Sequence, residues 1–256
     1  MASEQRFGFQ WNVYSELNSQ YESQFKNWVS PLSRSDFAGK SVLDVGCGMG
    51  RNAYWALQWG AHRLVAFDYD ERTVAAARRN LKAFPQAEVL FKSIYDISWH
   101  DEFDIAFSIG VIHHLENPGR AVANMVHALK VGGTLLLWVY SYEGNEWVPR
   151  YVDPIRKHIT SKLPVPVVYW LSYLCSVPLW LTVKIFKKYT TGYMRQLSGS
   201  KLWQIHNIVL DQLIPTIAHY WKRNEVLELL AGLPLIDIKI HHPPNGNGWT
   251  VIATKN

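Results

Sequence analysis

Three glycines, Gly46, Gly48 and Gly50, follow a short apolar segment and stand directly before a segment with helical spacing. Glycine lets the backbone turn sharply and approach a ligand without interference from a Cβ atom. The N-terminus of the following helix adds unpaired backbone N–H groups. Asp68 ends the next apolar segment, where a carboxylate can accept two hydrogen bonds from a ribose diol. The pattern predicts a site for a nucleoside.

The spacing of the glycines distinguishes two kinds of nucleotide site. A dinucleotide site favours G-x-G-x-x-G, whereas this turn reads G-x-G-x-G, with the acidic Asp44 two positions before the first glycine. S-adenosylmethionine (SAM) has no phosphate but carries a charged amino-acid end and a sulfonium, which a nearby carboxylate stabilises. The sequence therefore favours SAM, and a tight turn without a ligand is the alternative.

The elements that must position this turn alternate between strand and helix. Five apolar segments bounded by turn residues lie within 41–140, and the patterns between them have helical spacing; the last helix would begin near Pro118 and end at Gly132. This alternation predicts a doubly wound α/β fold with a mostly parallel sheet. Strand patterns at 235–240 and 249–254 would complete seven strands as an antiparallel pair. The five segments read SVLDV, HRLVAFD, AEVLF, FDIAFSI and GTLLLWVY.

The chain is predicted to consist of four segments. Residues 1–40 carry apolar side chains every three or four positions, which predicts one helix lying on the core as a lid. Residues 41–140 form the nucleoside-binding core. Residues 141–221 are not needed by the alternation and are predicted to be a helical insertion. Residues 222–256 supply the last helix and the final strands.

The segments DVGCGMGR, VAFDYD, FDIAFSIGVIHHL and LKVGGTLLLWV, in this order and spacing, resemble the class I SAM-dependent methyltransferases of the small-molecule group, type 11 or 12. The resemblance covers residues 42–139. It implies a Rossmann-like fold, SAM as cofactor and in-line transfer of a methyl group. It is silent on the acceptor.

The resemblance also implies which residues bind SAM. The glycine turn would pass under the methionine part, Asp44 would lie near the amino group, Asp68 would hold the ribose, and Tyr69 would flank the adenine. After the third strand, relatives carry an acidic residue where this chain has Ser93. The expected cofactor residues are Gln10, Trp11, Tyr14, Asp44, Gly46, Cys47, Gly48, Gly50, Asp68, Tyr69, Ser93, Ile94, Ser108 and Ile109.

Two residues are candidates for catalysis. His113 follows the fourth strand and is predicted to act as a base or to line the pocket, because histidine titrates near neutral pH. Tyr140 follows the fifth strand and would face the same pocket. No metal site is expected, since the adjacent His241 and His242 would point apart in a strand. The expected substrate contacts are His114, Tyr142, His206, His219 and Tyr220.

The insertion carries the positive charge of the protein. Residues 150–201 hold nine Lys and Arg but a single acid, Asp153, so their net charge is +8 and that of the remainder is −3. Residues 163–183 are uncharged and apolar, with prolines that should divide them into short helices. The insertion has three possible roles: contact with a membrane surface, a lid over an apolar substrate, or a homodimer interface. Nucleic acid is not an expected partner, because the basic residues alternate with aliphatic runs.

These features predict a SAM-dependent methyltransferase that acts on a small apolar or lipid-linked acceptor. The alternatives are a methyltransferase of a soluble secondary metabolite or sugar, and a non-catalytic SAM-binding protein at a membrane. The two cysteines, Cys47 and Cys175, support no disulfide framework, and no signal peptide is expected. A cytoplasmic location is therefore predicted, with peripheral attachment to the inner face of the membrane.

Overall fold

The computed structural model describes residues 3–14, 16–17, 20–190, 192–243 and 248–256. Its centre is a seven-stranded sheet in the order β3-β2-β1-β4-β5-β7-β6, in which β7 runs antiparallel to β5 and β6 and the other neighbours are parallel. This confirms the predicted sheet and its antiparallel pair. The strands are β1 (Ser41–Val45), β2 (Arg63–Asp68), β3 (Ala87–Phe91), β4 (Phe103–Ile109), β5 (Leu129–Val139), β6 (Leu235–His241) and β7 (Trp249–Lys255).

Helices cover both faces of the sheet, as the doubly wound fold requires. The helices are α1 (Ser3–Val13), α2 (Gln20–Val29), α3 (Arg34–Phe37), α4 (Arg51–Gln58), α5 (Glu71–Leu81), α6 (Pro118–Ala128), α7 (Asp153–His158), α8 (Val165–Ile185), α9 (Gly192–Ser198), α10 (Leu202–Leu213) and α11 (Arg223–Leu230).

Alternate residues of β1 face opposite layers. Val42 belongs to an apolar cluster that contains side chains of α2, α4 and α5, whereas Leu43 and Val45 belong to a second cluster with side chains of α6 and α11. Because its residues pack on one layer or the other, β1 is buried on both faces, which explains why three of its five residues are apolar.

The N-terminal segment forms two helices and a short third one, rather than the single helix that was predicted. Phe25 and Val29 of α2 are fully buried against the sheet, while α1 contacts α5 and α10. Because α1 and α2 pack on different parts of the molecule, one straight helix could not bury both sets of apolar residues.

The predicted end of α6 was also wrong. The helix ends at Ala128, and Leu129 already pairs with Phe103 as the first residue of β5. Gly132 instead lies within the strand, at a φ of +76°. Pairing with β4 therefore takes the backbone out of the helix four residues before the glycine.

The insertion places α7, α8, α9 and α10 between β5 and α11. The expected division of its apolar run into short helices was wrong, because α8 is one helix of 21 residues. Pro164 precedes its first residue and Pro166 lies in its first turn, where proline is tolerated, while Pro178 lies in the helix interior. By length and composition, α8 is the one described helix that could cross a membrane. Its outer face exposes Trp170, Leu174 and Ile185.

Residues 244–247, which belong to the loop expected between the last two strands, lie outside the described part of the chain.

Candidate functional site

The carboxyl ends of β1, β2 and β4 surround a cavity of about 400 Å³. The strand order reverses at β1, which has β2 on one side and β4 on the other. A crevice opens at such a point because the connections leave toward opposite faces of the sheet, and ligands of doubly wound proteins bind there. The predicted residues that line the cavity are Trp11, Gly46, Cys47, Gly48, Asp68, Tyr69, Ser93, Ile94, Ile109 and His114.

The glycine turn forms the floor of the cavity. Gly46 has a φ of +73° and Gly48 a φ of +53°, a region that other residues enter only with strain. A Cβ atom on Gly46 would lie 2.6 Å from Cγ2 of Val111, and one on Gly48 would lie 3.4 Å from Nε1 of Trp11. The turn is therefore enclosed between β4 and the lid helix.

Asp68 is fixed to this turn. Its Oδ2 accepts a hydrogen bond of 2.9 Å from the backbone N–H of Gly48. Burial raises the pKa of Asp68 from an ordinary 3.8 to about 6, against the effect of that hydrogen bond. At neutral pH the group is an ionised acceptor at the edge of a nucleoside-sized cavity, which suits the diol of a ribose.

Asp44 lies deeper than predicted. Only 1% of its surface is exposed, and it is absent from the lining of the cavity. Its Oδ2 is buried without a hydrogen-bond partner. Burial, followed by the charge of Asp68, raises its pKa well above the usual range. Contact with the SAM amino group, direct or through water, stays a prediction for this residue.

A pair of parallel rings lies where adenine was predicted to bind, and Tyr69, one of the two, lines the cavity. Tyr69 stacks on Phe91 with the ring centroids 5.4 Å apart and the planes 8° apart. Ser93 caps a short 3-10 turn, accepting a hydrogen bond of 3.2 Å from the N–H of Tyr95. Ser93 Oγ still has a proton to donate. This side of the cavity therefore offers a stacking surface and one hydroxyl, whereas the family that the sequence resembles has an acidic residue at the position of Ser93.

The lid helix reaches the cavity through Trp11. Gln10 instead turns toward the insertion, where its Nε2 donates to Oδ1 of Asn207 at 2.7 Å. The hydroxyl of Tyr14 lies 2.6 Å from Nδ1 of His206. These two residues therefore join α1 to α10 and do not touch the space where SAM would lie.

The two histidines after β4 occupy different positions. His113 is fully buried and does not line the cavity, and its ring centroid lies 3.9 Å from that of Tyr140 with the planes tilted by 31°. Burial, followed by the neighbouring His114, lowers its pKa well below the usual range. His114 does line the cavity. Its Nδ1 lies 2.8 Å from the carbonyl oxygen of Ile217, and burial lowers its pKa to about 3.

Because a carbonyl oxygen only accepts hydrogen bonds, Nδ1 of His114 carries the proton and Nε2 keeps its lone pair. His114 is thus a neutral acceptor on the cavity wall. The predicted catalytic role of His113 stays a prediction, and the geometry sets that ring behind Tyr140.

The other predicted residues surround the cavity without lining it. Gly50 caps α4, and Ser108 Oγ donates to the carbonyl oxygen of Val45 at 2.9 Å. The hydroxyl of Tyr140 donates to Oδ2 of Asp211 at 2.6 Å. The remaining predicted contacts do not line the cavity either and are Tyr142, His206, His219 and Tyr220. Across the described residues, no group of three or more His, Cys, Asp or Glu side chains could hold a metal ion.

The expected site residues omitted four charged residues that line the cavity, Arg51, Lys92, Glu116 and Asp211. Arg51 is the first residue of α4 and directly follows the glycine turn, so its position was a usable signal. Asp211 comes from α10 of the insertion, and nothing in the local sequence connects it with a turn 160 residues away.

Comparison with known proteins identifies the class. Residues 43–137, which contain the glycine turn and Asp68, match the family model described as a methyltransferase domain. This part of the chain is a class I SAM-dependent methyltransferase domain of the type 11 group. The predicted family, enzyme class and cofactor are confirmed.

Solved structures show the same fold. The SAM-dependent methyltransferase of Mesorhizobium loti matches with a TM-score of 0.50 and 16% identity, over 86% of this chain and 93% of that one. Magnesium protoporphyrin IX methyltransferase of Synechocystis, solved with bound SAM, matches with a TM-score of 0.51 and 12% identity, over 97% of this chain and 80% of that one. The predicted Rossmann-like fold is confirmed.

Curated relatives carry the name tRNA U34 carboxymethyltransferase. The protein of Klebsiella pneumoniae is 31% identical over 134 residues, which are 51% of this chain and 40% of that protein. The protein of Campylobacter hominis is 28% identical over 163 residues, which are 62% of this chain and 56% of that protein. The chain thus spans about half the length of the curated relatives it matches.

These names overturn the predicted partners. A small apolar acceptor without nucleic acid was expected, with a membrane surface or a second copy at residues 150–201, whereas the relatives are named for transfer to tRNA.

The error has a structural reason. Val165, Val168 and Val183 of α8 are buried, so part of the aliphatic run faces the protein. Of the nine basic residues, eight are exposed and Arg156 alone is buried.

Proposed function

We propose that the protein transfers a methyl group, plain or substituted, from SAM to a nucleoside of tRNA. The observation that carries the transfer chemistry is the carboxylate of Asp68, held by the N–H of Gly48 above a glycine turn at the carboxyl edge of the sheet. The tRNA acceptor is supported by the names of the curated relatives and by the charge of the insertion.

The residues around the cavity fit SAM. Asp68 would accept the ribose hydroxyls, Tyr69 and Ile94 would hold the adenine, and Gly46 and Gly48 let the backbone approach the chain that bears the sulfonium. When bound, SAM supplies an electrophilic carbon on a positively charged sulfur. Orientation of this carbon against the acceptor can account for about 7–11 kcal/mol of a barrier at best, so positioning is the main task of the cavity.

The acceptor end of the cavity would combine apolar side chains with the hydrogen-bond acceptor of His114. Val111, Leu115 and Ile217 line it and limit the access of water. His114 offers the lone pair of Nε2, which can accept a hydrogen bond from an N–H or O–H of the incoming base. The lid helix α1 closes the cavity from above through Trp11, which lies against the glycine turn.

The insertion would bind the tRNA backbone. Its eight exposed Lys and Arg residues face solvent, and a polyanion gains affinity from such residues by releasing counterions. The chain outside residues 150–201, where these basic residues lie, has a net charge of −3. The attraction would therefore direct tRNA to this part of the protein, and a tRNA acceptor would agree with a cytoplasmic location.

The test is methyl transfer from isotopically labelled SAM into a cell extract, followed by separation of tRNA, lipid and small molecules. Label in tRNA that ribonuclease releases as labelled nucleotides supports the proposal, and Asp68→Ala should abolish it. Label in the lipid or small-molecule fraction would refute the tRNA acceptor. Binding of SAM without any incorporation would refute transferase activity.

A further inference from the structure

Arg51 and Asp211 bring opposite charges to one corner of the cavity, and we call this pair the charged corner. Arg51 is the first residue of α4 in the core, and Asp211 lies near the end of α10 in the insertion. Both side chains line the cavity. Neither is needed for the contacts that the proposed function assigns to adenine, ribose or tRNA phosphates.

Arg51 is held by rings and not by acceptors. Its guanidinium carbon lies 4.9 Å from the ring centroid of Trp11, 5.3 Å from that of Tyr21 and 5.0 Å from that of Trp28. Within the described part of the chain it makes no hydrogen bond and no ion pair. Aromatic rings stabilise the faces of a guanidinium but leave its N–H groups free, and those groups match a carboxylate in two-point geometry.

Asp211 is fixed by neutral donors. Its Oδ2 accepts from the hydroxyl of Tyr140 at 2.6 Å, and its Oδ1 accepts a longer bond of 3.4 Å from Nε2 of Gln10. Two such bonds leave acceptor sites on both oxygens, since a carboxylate has about four. Asp211 and Arg51 do not form an ion pair with each other, although both charges face the same space.

Charged groups removed from water are costly unless they are paired. A ligand with a carboxylate and an ammonium on one carbon would pair both groups at once. We propose that the charged corner binds an α-amino-acid group, the amino-acid end of SAM, with Arg51 on its carboxylate and Asp211 on its ammonium. This inference rests on the proposed function, and it gives the insertion a share in binding the methyl donor.

The test compares ligands that differ only at this end, by calorimetry without turnover. S-adenosylhomocysteine (SAH) has the whole amino-acid group, 5′-methylthioadenosine lacks it, and S-adenosyl-3-thiopropylamine lacks only the carboxylate. Arg51→Gln and Asp211→Asn should each weaken SAH binding about 10- to 100-fold and leave methylthioadenosine binding unchanged. Arg51→Gln should not weaken binding of the thiopropylamine, whereas Asp211→Asn should.

Arg63→Gln is the matched control. Its guanidinium also lies over a ring, 5.1 Å from the centroid of Phe103, but at the opposite end of β2 from the cavity. This variant should bind all three ligands as the wild type does.

Equal losses for SAH and methylthioadenosine in Arg51→Gln or Asp211→Asn would overturn the inference, because the residues would then act on the fold of the cavity. Unchanged SAH binding in both variants would overturn it as well. Neither result touches the proposed function, which fails only if the wild type binds no SAH or transfers no label to tRNA.

Discussion

The backbone N–H of Gly48 and the carboxylate of Asp68 are joined by a hydrogen bond of 2.9 Å. This bond ties the end of β2 to the turn that follows β1, so the ribose acceptor and the turn cannot move independently. The φ of +53° at Gly48 aims its N–H at the carboxylate. Nucleoside binding should therefore depend on both the charge of Asp68 and the conformation of the turn.

Binding of the nucleoside is expected to weaken as the pH falls through about 6, the pKa to which burial raises Asp68. Protonated Asp68 loses one of its two acceptor oxygens to the added proton. The affinity for 5′-methylthioadenosine, which does not reach the charged corner, should fall by up to about tenfold per pH unit below that point. Calorimetry between pH 5 and 8 measures it. In Asp68→Asn the dependence should disappear, and its persistence would assign the titration to another group.

The stability of the ligand-free protein should respond in the opposite direction. The folded pKa of Asp68 lies above its ordinary value, so the folded state binds more protons than the unfolded state between pH 3.8 and about 6. This group therefore adds stability as the pH falls through that window. Denaturant unfolding of wild type and Asp68→Asn should show it: the variant gains stability relative to wild type at pH 7, and the gain shrinks by pH 4.

Gly46→Ala should impair both folding and binding. Its Cβ would lie 2.6 Å from Val111 Cγ2, and its φ is +73°. Gly39→Ala is the control for the conformation alone, because Gly39 has a φ of +72° but nothing within 4 Å of the added Cβ. We expect Gly39→Ala to cost about 1–2 kcal/mol and Gly46→Ala to cost more, with SAH binding lost only in the latter. Equal costs and intact SAH binding would show that the turn tolerates a side chain.

Neutralising exposed lysines of the insertion should weaken tRNA binding without changing SAH binding. The variant replaces Lys162, Lys187 and Lys188 with Gln, and all three are exposed. The slope of log affinity against log salt should become shallower by up to about 3, if each lysine meets one phosphate. A control with the same loss of charge replaces Lys40, Lys82 and Lys239, which are exposed and lie outside the insertion. A similar loss in both variants would mean that net charge, and not the insertion, attracts tRNA.

The lid helix should open when its contact with the core is disturbed. A Cβ on Gly8 would lie 2.1 Å from Oδ2 of Asp70, and that carboxylate is held by the side chain of Arg72 and the N–H of Thr73. Gly8→Ala should therefore speed amide hydrogen exchange in α1 and weaken SAH binding, since Trp11 would leave the turn. Exchange in α6, on the other face of the sheet, should not change. Unaltered exchange in α1 would show that the helix adapts.

The sequence alone determined the features that depend on neighbouring residues. Strand–helix alternation predicted the seven strands with their antiparallel pair, because period-two and period-3.6 patterns reflect which face of each element is buried. The glycine turn and Asp68 were recognisable for the same reason, since a positive φ needs glycine at fixed positions. The proline rule failed at α8, where packing against α10 compensates for a lost hydrogen bond at Pro178.

Only the tertiary structure decided which distant side chains meet. It divided the N-terminal segment between two packing surfaces and ended α6 directly before the residue at which β5 begins to pair with β4. It also buried three valines of α8 while leaving eight of the nine basic residues of 150–201 in solvent. It also brought Asp211 to the cavity that Arg51 lines. Local sequence patterns reflect how each helix or strand is buried. Contacts between distant side chains depend instead on how separate helices and strands pack, and this packing is determined by residues far apart in the chain.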